Sequence, residues 1–137
     1  MSQLELPVEE YTTPDPITTG EETGIEEVER LMKENGIRHL PVLRGGKVVG
    51  IISERDVRLV SGLAWAEKTL VRASDLMAPD PVTVNCQAPL DEVAFEMSRQ
   101  KIGSVVVTDE KDNFLGIFTV TDALNALIEV VRGSQSN

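Results

Sequence analysis

From Ile25 to Met32 the apolar positions Ile25, Val28, Leu31 and Met32 recur every three to four residues, the spacing that lays one apolar stripe along a helix. Leu90, Val93, Ala94 and Met97 repeat the stripe further on. After each stripe the helical spacing stops. Runs rich in Val, Ile and Leu follow: His39–Leu43 and Lys47–Ile52 around Arg44-Gly45-Gly46, then Ser104–Thr108 and Phe114–Phe118 around EKDN. These read as two hairpins. A short extended piece precedes each helix, at Ile17–Thr19 and Val82–Val84, behind a Pro-Asp-Pro that disfavours helix. A further helix closes each half, from about Glu54 to Val60 and from about Val120 to Val131, the latter ended by Gly133.

Local signals sharpen these boundaries. Thr23 and Glu26 are spaced as a capping box, and Pro89 suits a first helical turn. Asn35-Gly36 is a stop signal for the first helix, and the second runs out near Lys101-Ile102. Leu63–Met77 reads as a weakly helical linker with Trp65 and Leu70 packed on the core, and SQSN as a frayed tail.

The two halves are copies. Pro14-Asp15-Pro16-Ile17-Thr18 lies over Pro79-Asp80-Pro81-Val82-Thr83 at an offset of 65 residues, and Met32, Ile37 and Val42 fall on Met97, Ile102 and Val107. One extra residue enters the second hairpin turn, after which GIISERD (50–56) matches GIFTVTD (116–122) at an offset of 66. The expected fold is α/β (α+β): two pseudo-symmetric β-α-β-β-α units packed sheet to sheet, with a ligand cleft where the sheets meet. A unit of roughly 60 residues buries little surface alone, which favours such pairing. The expected boundaries are a leader at 1–9, units at 10–62 and 77–131, a linker helix at 63–76 and a disordered tail at 132–137.

Composition narrows the partners. The net charge is −10, and residues 1–35 carry ten acids against two bases. So acidic a chain is repelled by a phosphate backbone, which argues against duplex nucleic acid. No apolar run approaches the roughly 18 residues of a membrane span, and the start lacks the pattern of a signal peptide. Cys86 is the only cysteine, so a small structural residue in a reducing cytoplasm is expected. The bases Arg38, His39, Arg44, Lys47, Arg55 and Arg58 cluster within 21 positions, either as a solvated surface or as an anion site.

Each copy closes on a hydroxyl, two variable residues and an aspartate: Ser53 with Asp56, Thr119 with Asp122. As a helix cap the hydroxyl accepts a first-turn N–H and the carboxylate favours the helix dipole, contributing about 1 kcal/mol. As a ligand site the same helix start seats phosphate, and the aspartate accepts a ribose diol. Both readings stand on the residues alone.

The duplicated unit, the entry Ile37-Arg38-His39-Leu40-Pro41-Val42 and the Gly-x-x-[Ser/Thr]-x-x-Asp close resemble the CBS domain, named after cystathionine β-synthase. Two in tandem form a Bateman module, and the resemblance covers about residues 10–131. It implies binding of AMP, ADP, ATP or S-adenosylmethionine between the two units, with magnesium a possible companion of ATP and no required cofactor. It further implies that Asp56 and Asp122 hold ribose hydroxyls, and that Ser53 and Thr119 bond ribose or phosphate oxygens. Ile17, Thr18 and Thr19, with Val82, Thr83 and Val84, would line the adenine. Arg38 and His39, ahead of Leu40-Pro41, would reach phosphate, with Arg55 adding charge. In the second copy Ser104, Val105 and Thr121 stand near or at the matching positions, the cations are gone and the proline is missing, so that site suits a less anionic adenosyl compound or none.

Catalytic patterns are missing. Gly45-Gly46-Lys47 lacks the rest of a P-loop, His39 is the only histidine, and no Gly-x-Ser-x-Gly occurs. The expectation is a non-enzymatic regulatory module acting on an unidentified protein target, and the resemblance implies that it pairs as a homodimer. Leu124, Leu127, Ile128 and Val131 on the last helix are assigned to the core, with a dimer surface, or both roles together, as the alternatives. The alternatives are a ligand-independent dimerising or docking scaffold, and the regulatory segment of a larger enzyme or transporter.

Overall fold

A computed structural model describes residues 6–136. Residues 1–5 of the expected leader and Asn137 of the expected tail lie outside the described residues. In chain order the elements are a 3-10 turn (Val8–Tyr11), β1 (Thr13–Pro14), β2 (Thr19–Gly20), α1 (Ile25–Asn35), β3 (His39–Arg44), β4 (Lys47–Ser53) and α2 (Glu54–Val60). Then come α3 (Trp65–Lys68), α4 (Ala73–Leu76), β5 (Ala78–Pro79), β6 (Thr83–Asn85), α5 (Leu90–Gln100), β7 (Ser104–Thr108), β8 (Phe114–Thr119) and α6 (Val120–Ser136). The fold is mixed α/β with two four-stranded sheets.

Contacts divide the chain into two compact units. One is Pro16–Pro81; the other joins the residues up to Asp15 to those from Val82 onward. In the first, the sheet order is β2-β3-β4-β5, with β2 parallel to β3 and α1 as the crossover. Ile25, Val28 and Met32 of α1 bury against Leu40, Val42 and Ile52, joined by Ala73 and Leu76. In the second, the order is β1-β8-β7-β6, again with a parallel pair crossed over by α5. Leu90, Val93 and Met97 bury against Val105, Val107 and Phe118, with Val8, Cys86 and Ala126. The helical stripes and the apolar strand runs therefore build the two cores, each long strand burying three consecutive residues. Gly36 ends α1 in the left-handed region at φ 60°, and Lys101 does the same for α5 at φ 57°.

In these units the repeats exchange their leading segments. Leu90 N–H donates to Leu6 carbonyl at 2.8 Å, and Ile25 N–H donates to Val71 carbonyl at 3.1 Å. Val8 is fully buried beside α5, as Ala73 is beside α1. β1 pairs with β8 and β5 with β4, so each Pro-Asp-Pro edges the other repeat's sheet.

This exchange explains the glycine that opens GIISERD and GIFTVTD. A Cβ on Gly116 would fall 2.1 Å from the Thr13 carbonyl oxygen, and one on Gly50 would fall 2.3 Å from Met77 Sδ. The crossing segment needs the space that only hydrogen leaves.

Several local expectations are corrected. The N-cap of α1 is Gly24 with no side-chain cap; the Thr23 hydroxyl instead accepts a bond from the Thr19 hydroxyl at 2.7 Å, which leaves no capping box with Glu26. Pro89 is the N-cap of α5, one position outside the helix. The linker is two four-residue helices, of which α4 supplies Ala73 and Leu76 to the core while Trp65 and Leu70 stay exposed. Lys68 on α3 instead ties the linker to α1, with Nζ 2.9 Å from Glu29 Oε1. Helix α6 runs through Gly133 to Ser136, since a helical glycine costs about 1 kcal/mol and does not by itself end a long helix. Its core residue is Ala126; Leu124, Leu127, Ile128 and Val131 are exposed in an apolar row.

Candidate functional site

Strand register assembles the candidate residues at one end of each sheet. β3 and β4 pair His39 with Ser53, and β7 and β8 pair Ser104 with Thr119. Glu54 N–H donates to Arg38 carbonyl at 2.9 Å, and Val120 N–H to Gly103 carbonyl at 3.1 Å. Arg38, His39, Ser53, Arg55 and Asp56 therefore share one sheet end, as do Ser104, Thr119, Thr121 and Asp122.

Both hydroxyl–aspartate pairs are closed capping boxes. Asp56 Oδ2 accepts from Ser53 N–H at 2.8 Å and from Ser53 Oγ at 2.9 Å, while Asp56 N–H donates back to Ser53 Oγ at 3.2 Å. Asp122 Oδ2 accepts from Thr119 N–H at 2.8 Å and from Thr119 Oγ1 at 3.0 Å, with the return bond at 3.3 Å. Each hydroxyl has one proton, and the cap uses it. A hydroxyl bond to a ligand phosphate would replace that cap bond.

The cap consumes one carboxylate oxygen and leaves the other. Asp56 Oδ1 accepts no hydrogen bond among the described residues. Asp122 Oδ1 accepts one from Thr13 Oγ1 at 3.2 Å. Capping and ligand binding are thus compatible at Asp56, because they use different oxygens.

The basic cluster splits. Arg44 is held by Glu21 through two bonds of 2.6 Å, and with Lys47 it flanks the β3–β4 turn. Five strand residues, roughly 17 Å of chain, separate that turn from His39. At the near end Glu54 pairs with Arg38 at 3.5 Å and with Arg58 at 2.9 Å, so one acid answers two cations. Arg55 is exposed and has no ion pair among the described residues. His39 is partly buried, and desolvation followed by the nearby Arg38 charge holds its pKa below 6.5, against the opposing pull of Asp56.

Other candidates contribute differently. Leu40 and Val105 are core side chains and Pro41 is fully buried, which leaves their backbones for any ligand contact. Ile17 is exposed and Thr18 half-buried, whereas Thr19 belongs to β2 beside Val42. Val82 and Val84 pack against their unit's core, and Thr83 is exposed on β6. A pocket of about 400 Å³ between α1 and α2, absent from the sequence reading, has a floor of Met32, Ile37 and Val57. Glu29, Lys33, Arg38 and Glu54 rim it. No sequence motif marks it, since its lining comes from α1, α2 and the residues between α1 and β3.

A CBS domain family profile matches residues 8–61 and 73–129. The chain belongs to the CBS domain family. It carries a tandem CBS pair, and both matches include the exchanged leading segments. The chain is 37% identical over 114 residues to an inosine-5′-monophosphate dehydrogenase of Korarchaeum cryptofilum, covering 83% of this chain and 23% of that protein. An uncharacterized protein of Methanocaldococcus jannaschii, MJ1225, is 33% identical over 127 residues, covering 85% of this chain and 45% of that one. The chain therefore spans less than half the length of these curated relatives. The CBS domain pair of protein MJ0100, solved with 5′-methylthioadenosine and S-adenosyl-L-methionine, superposes with a TM-score of 0.74 at 30% identity. That likeness covers 94% of this chain and 97% of that one. CBS pairs are regulatory ligand-binding modules, and no helix among the described residues is long and apolar enough to cross a membrane.

Proposed function

We propose that this CBS pair binds an adenosine derivative at the sheet end of the first repeat and thereby modulates a protein target. The observation that carries the reading is the open Oδ1 of Asp56 beside Arg38, His39 and Arg55. A carboxylate oxygen there accepts a ribose hydroxyl while the guanidinium groups bond phosphate, and charge-assisted bonds of this kind are the strong ones. The adenosyl ligands of the MJ0100 pair support the same chemistry. AMP, ADP and ATP fit the cations of the first repeat; magnesium would enter only with a polyphosphate. The second repeat has Asp122 without the cations and suits S-adenosylmethionine or a neutral adenosyl compound. No catalytic step is assigned, the compartment is the cytoplasm, and the assembly is a homodimer that buries the apolar row of α6.

Thermal denaturation with millimolar AMP, ADP, ATP and S-adenosylmethionine tests this, since a ligand selective for the folded state raises Tm. A rise with at least one compound is expected. A flat response to all four would favour the ligand-independent scaffold, a reading that the self-satisfied capping boxes also permit.

A further inference from the structure

The two aspartates close the same capping box, and besides the cations they differ in the residue that crosses the sheet next to them. β1 and β5 cross the two sheets in the same register: Thr13 lies opposite Ile117, and Ala78 opposite Ile51. Ile117 and Ile51 are matched positions of the repeat, and Thr13 and Ala78 are matched at an offset of 65. The crossing residue therefore stands in the same relation to the aspartate in both units. In one it carries a hydroxyl, whose proton is shared between Asp122 Oδ1 at 3.2 Å and Oδ2 at 3.4 Å, nearer to Oδ1. In the other it is a methyl group with nothing to donate, and Asp56 Oδ1 stays free among the described residues.

We propose that Thr13 is a specificity-determining residue that occupies the diol-binding oxygen of Asp122, so that the first repeat binds adenosyl ligands more tightly than the second. The inference rests on the proposed function and adds a cause of asymmetry separate from the cations. A ribose hydroxyl reaching Asp122 Oδ1 competes with the Thr13 hydroxyl, and the ligand gains only the difference between two similar hydrogen bonds. At Asp56 the same hydroxyl displaces water alone. Because the exchange places Thr13 in the first copy's leader but in the second copy's sheet, the segment that precedes one repeat tunes the site of the other.

Amide chemical shifts of Arg55 and Thr121, followed as adenosine or S-adenosylmethionine is titrated into the full chain, report the two sites separately. Thr13→Val keeps a β-branched strand residue and deletes the donor; it is expected to tighten binding at Thr121 by about two- to tenfold and leave Arg55 unchanged. Thr13→Ser keeps the donor and is expected to match the wild type. Ala78→Thr installs the donor beside Asp56 and is expected to weaken binding at Arg55 by a similar factor. An unchanged Kd at Thr121 in Thr13→Val, or a second site that stays silent in that variant while the first responds, overturns the role of Thr13. A weaker Kd at Thr121 overturns it too and makes Thr13 a ligand contact. If neither amide responds in any variant, the adenosyl reading itself has failed.

Discussion

Asp56 serves two ends with two oxygens. Oδ2 closes the cap of α2, and under the proposed function Oδ1 takes the ligand. The spacing Ser-x-x-Asp was legible in the sequence, but the division of labour was not, because a residue pattern does not say which oxygen the cap takes. Beside it, His39 is the only histidine and its pKa is lowered, chiefly by burial. A histidine whose folded pKa lies below its unfolded value of 6.5 stabilises the fold above that pH. The contribution is lost as pH falls from 6.5 through the lower folded value, because the unfolded chain binds the proton more readily. Urea denaturation at pH 7.5 and 5.5 is therefore expected to show a loss of stability that is smaller in His39→Gln. Lowered carboxyl values at Glu21, Glu27, Glu96 and Asp109, held down by hydrogen bonds, act in a more acidic window and leave this comparison readable.

The hairpins and crossover helices were readable because the apolar strand runs and the 3.6 period extend over enough residues to show. β1 and β5 were not. Each is two residues long and ends on proline, and nothing in Thr13-Pro14 or Ala78-Pro79 names the strand it joins. The exchange is instead recorded in Gly50 and Gly116, whose partners become visible only with the crossing segment in place. A methyl group on Gly116 would meet the Thr13 backbone, which cannot move without releasing β1, whereas on Gly50 it meets the flexible Met77 side chain. Gly116→Ala is expected to cost about 2 kcal/mol or more in urea denaturation, and Gly50→Ala clearly less. Equal losses would mean that both segments yield alike. Trp65 and Leu70 teach the converse lesson: large apolar residues in a linker are not thereby core, and Ala73 and Leu76 fill that role.

At the scale of the molecule the duplication was legible, and with it the family, since order and spacing survive where single motifs are weak. The last helix was misread because helical spacing alone does not distinguish a core stripe from a surface stripe. Leu124, Leu127, Ile128 and Val131 are each 44–53% exposed, an apolar row of the kind that marks an interaction surface. Under the proposed homodimer, Leu127→Glu is expected to halve the mass seen by light scattering while leaving Tm for the isolated chain nearly unchanged. A wild-type monomer at high micromolar concentration would remove the dimer and leave the row to another partner.

The account turns on the first-repeat aspartate, and calorimetric titration of AMP into the wild type and Asp56→Ala tests it most directly. Loss of a hydrogen-bonded carboxylate predicts a Kd weaker by about ten- to a hundredfold, alongside a stability cost of about 1 kcal/mol from the broken cap. A variant that loses the cap energy yet binds AMP with the wild-type Kd would show that Asp56 is a helix cap and nothing more.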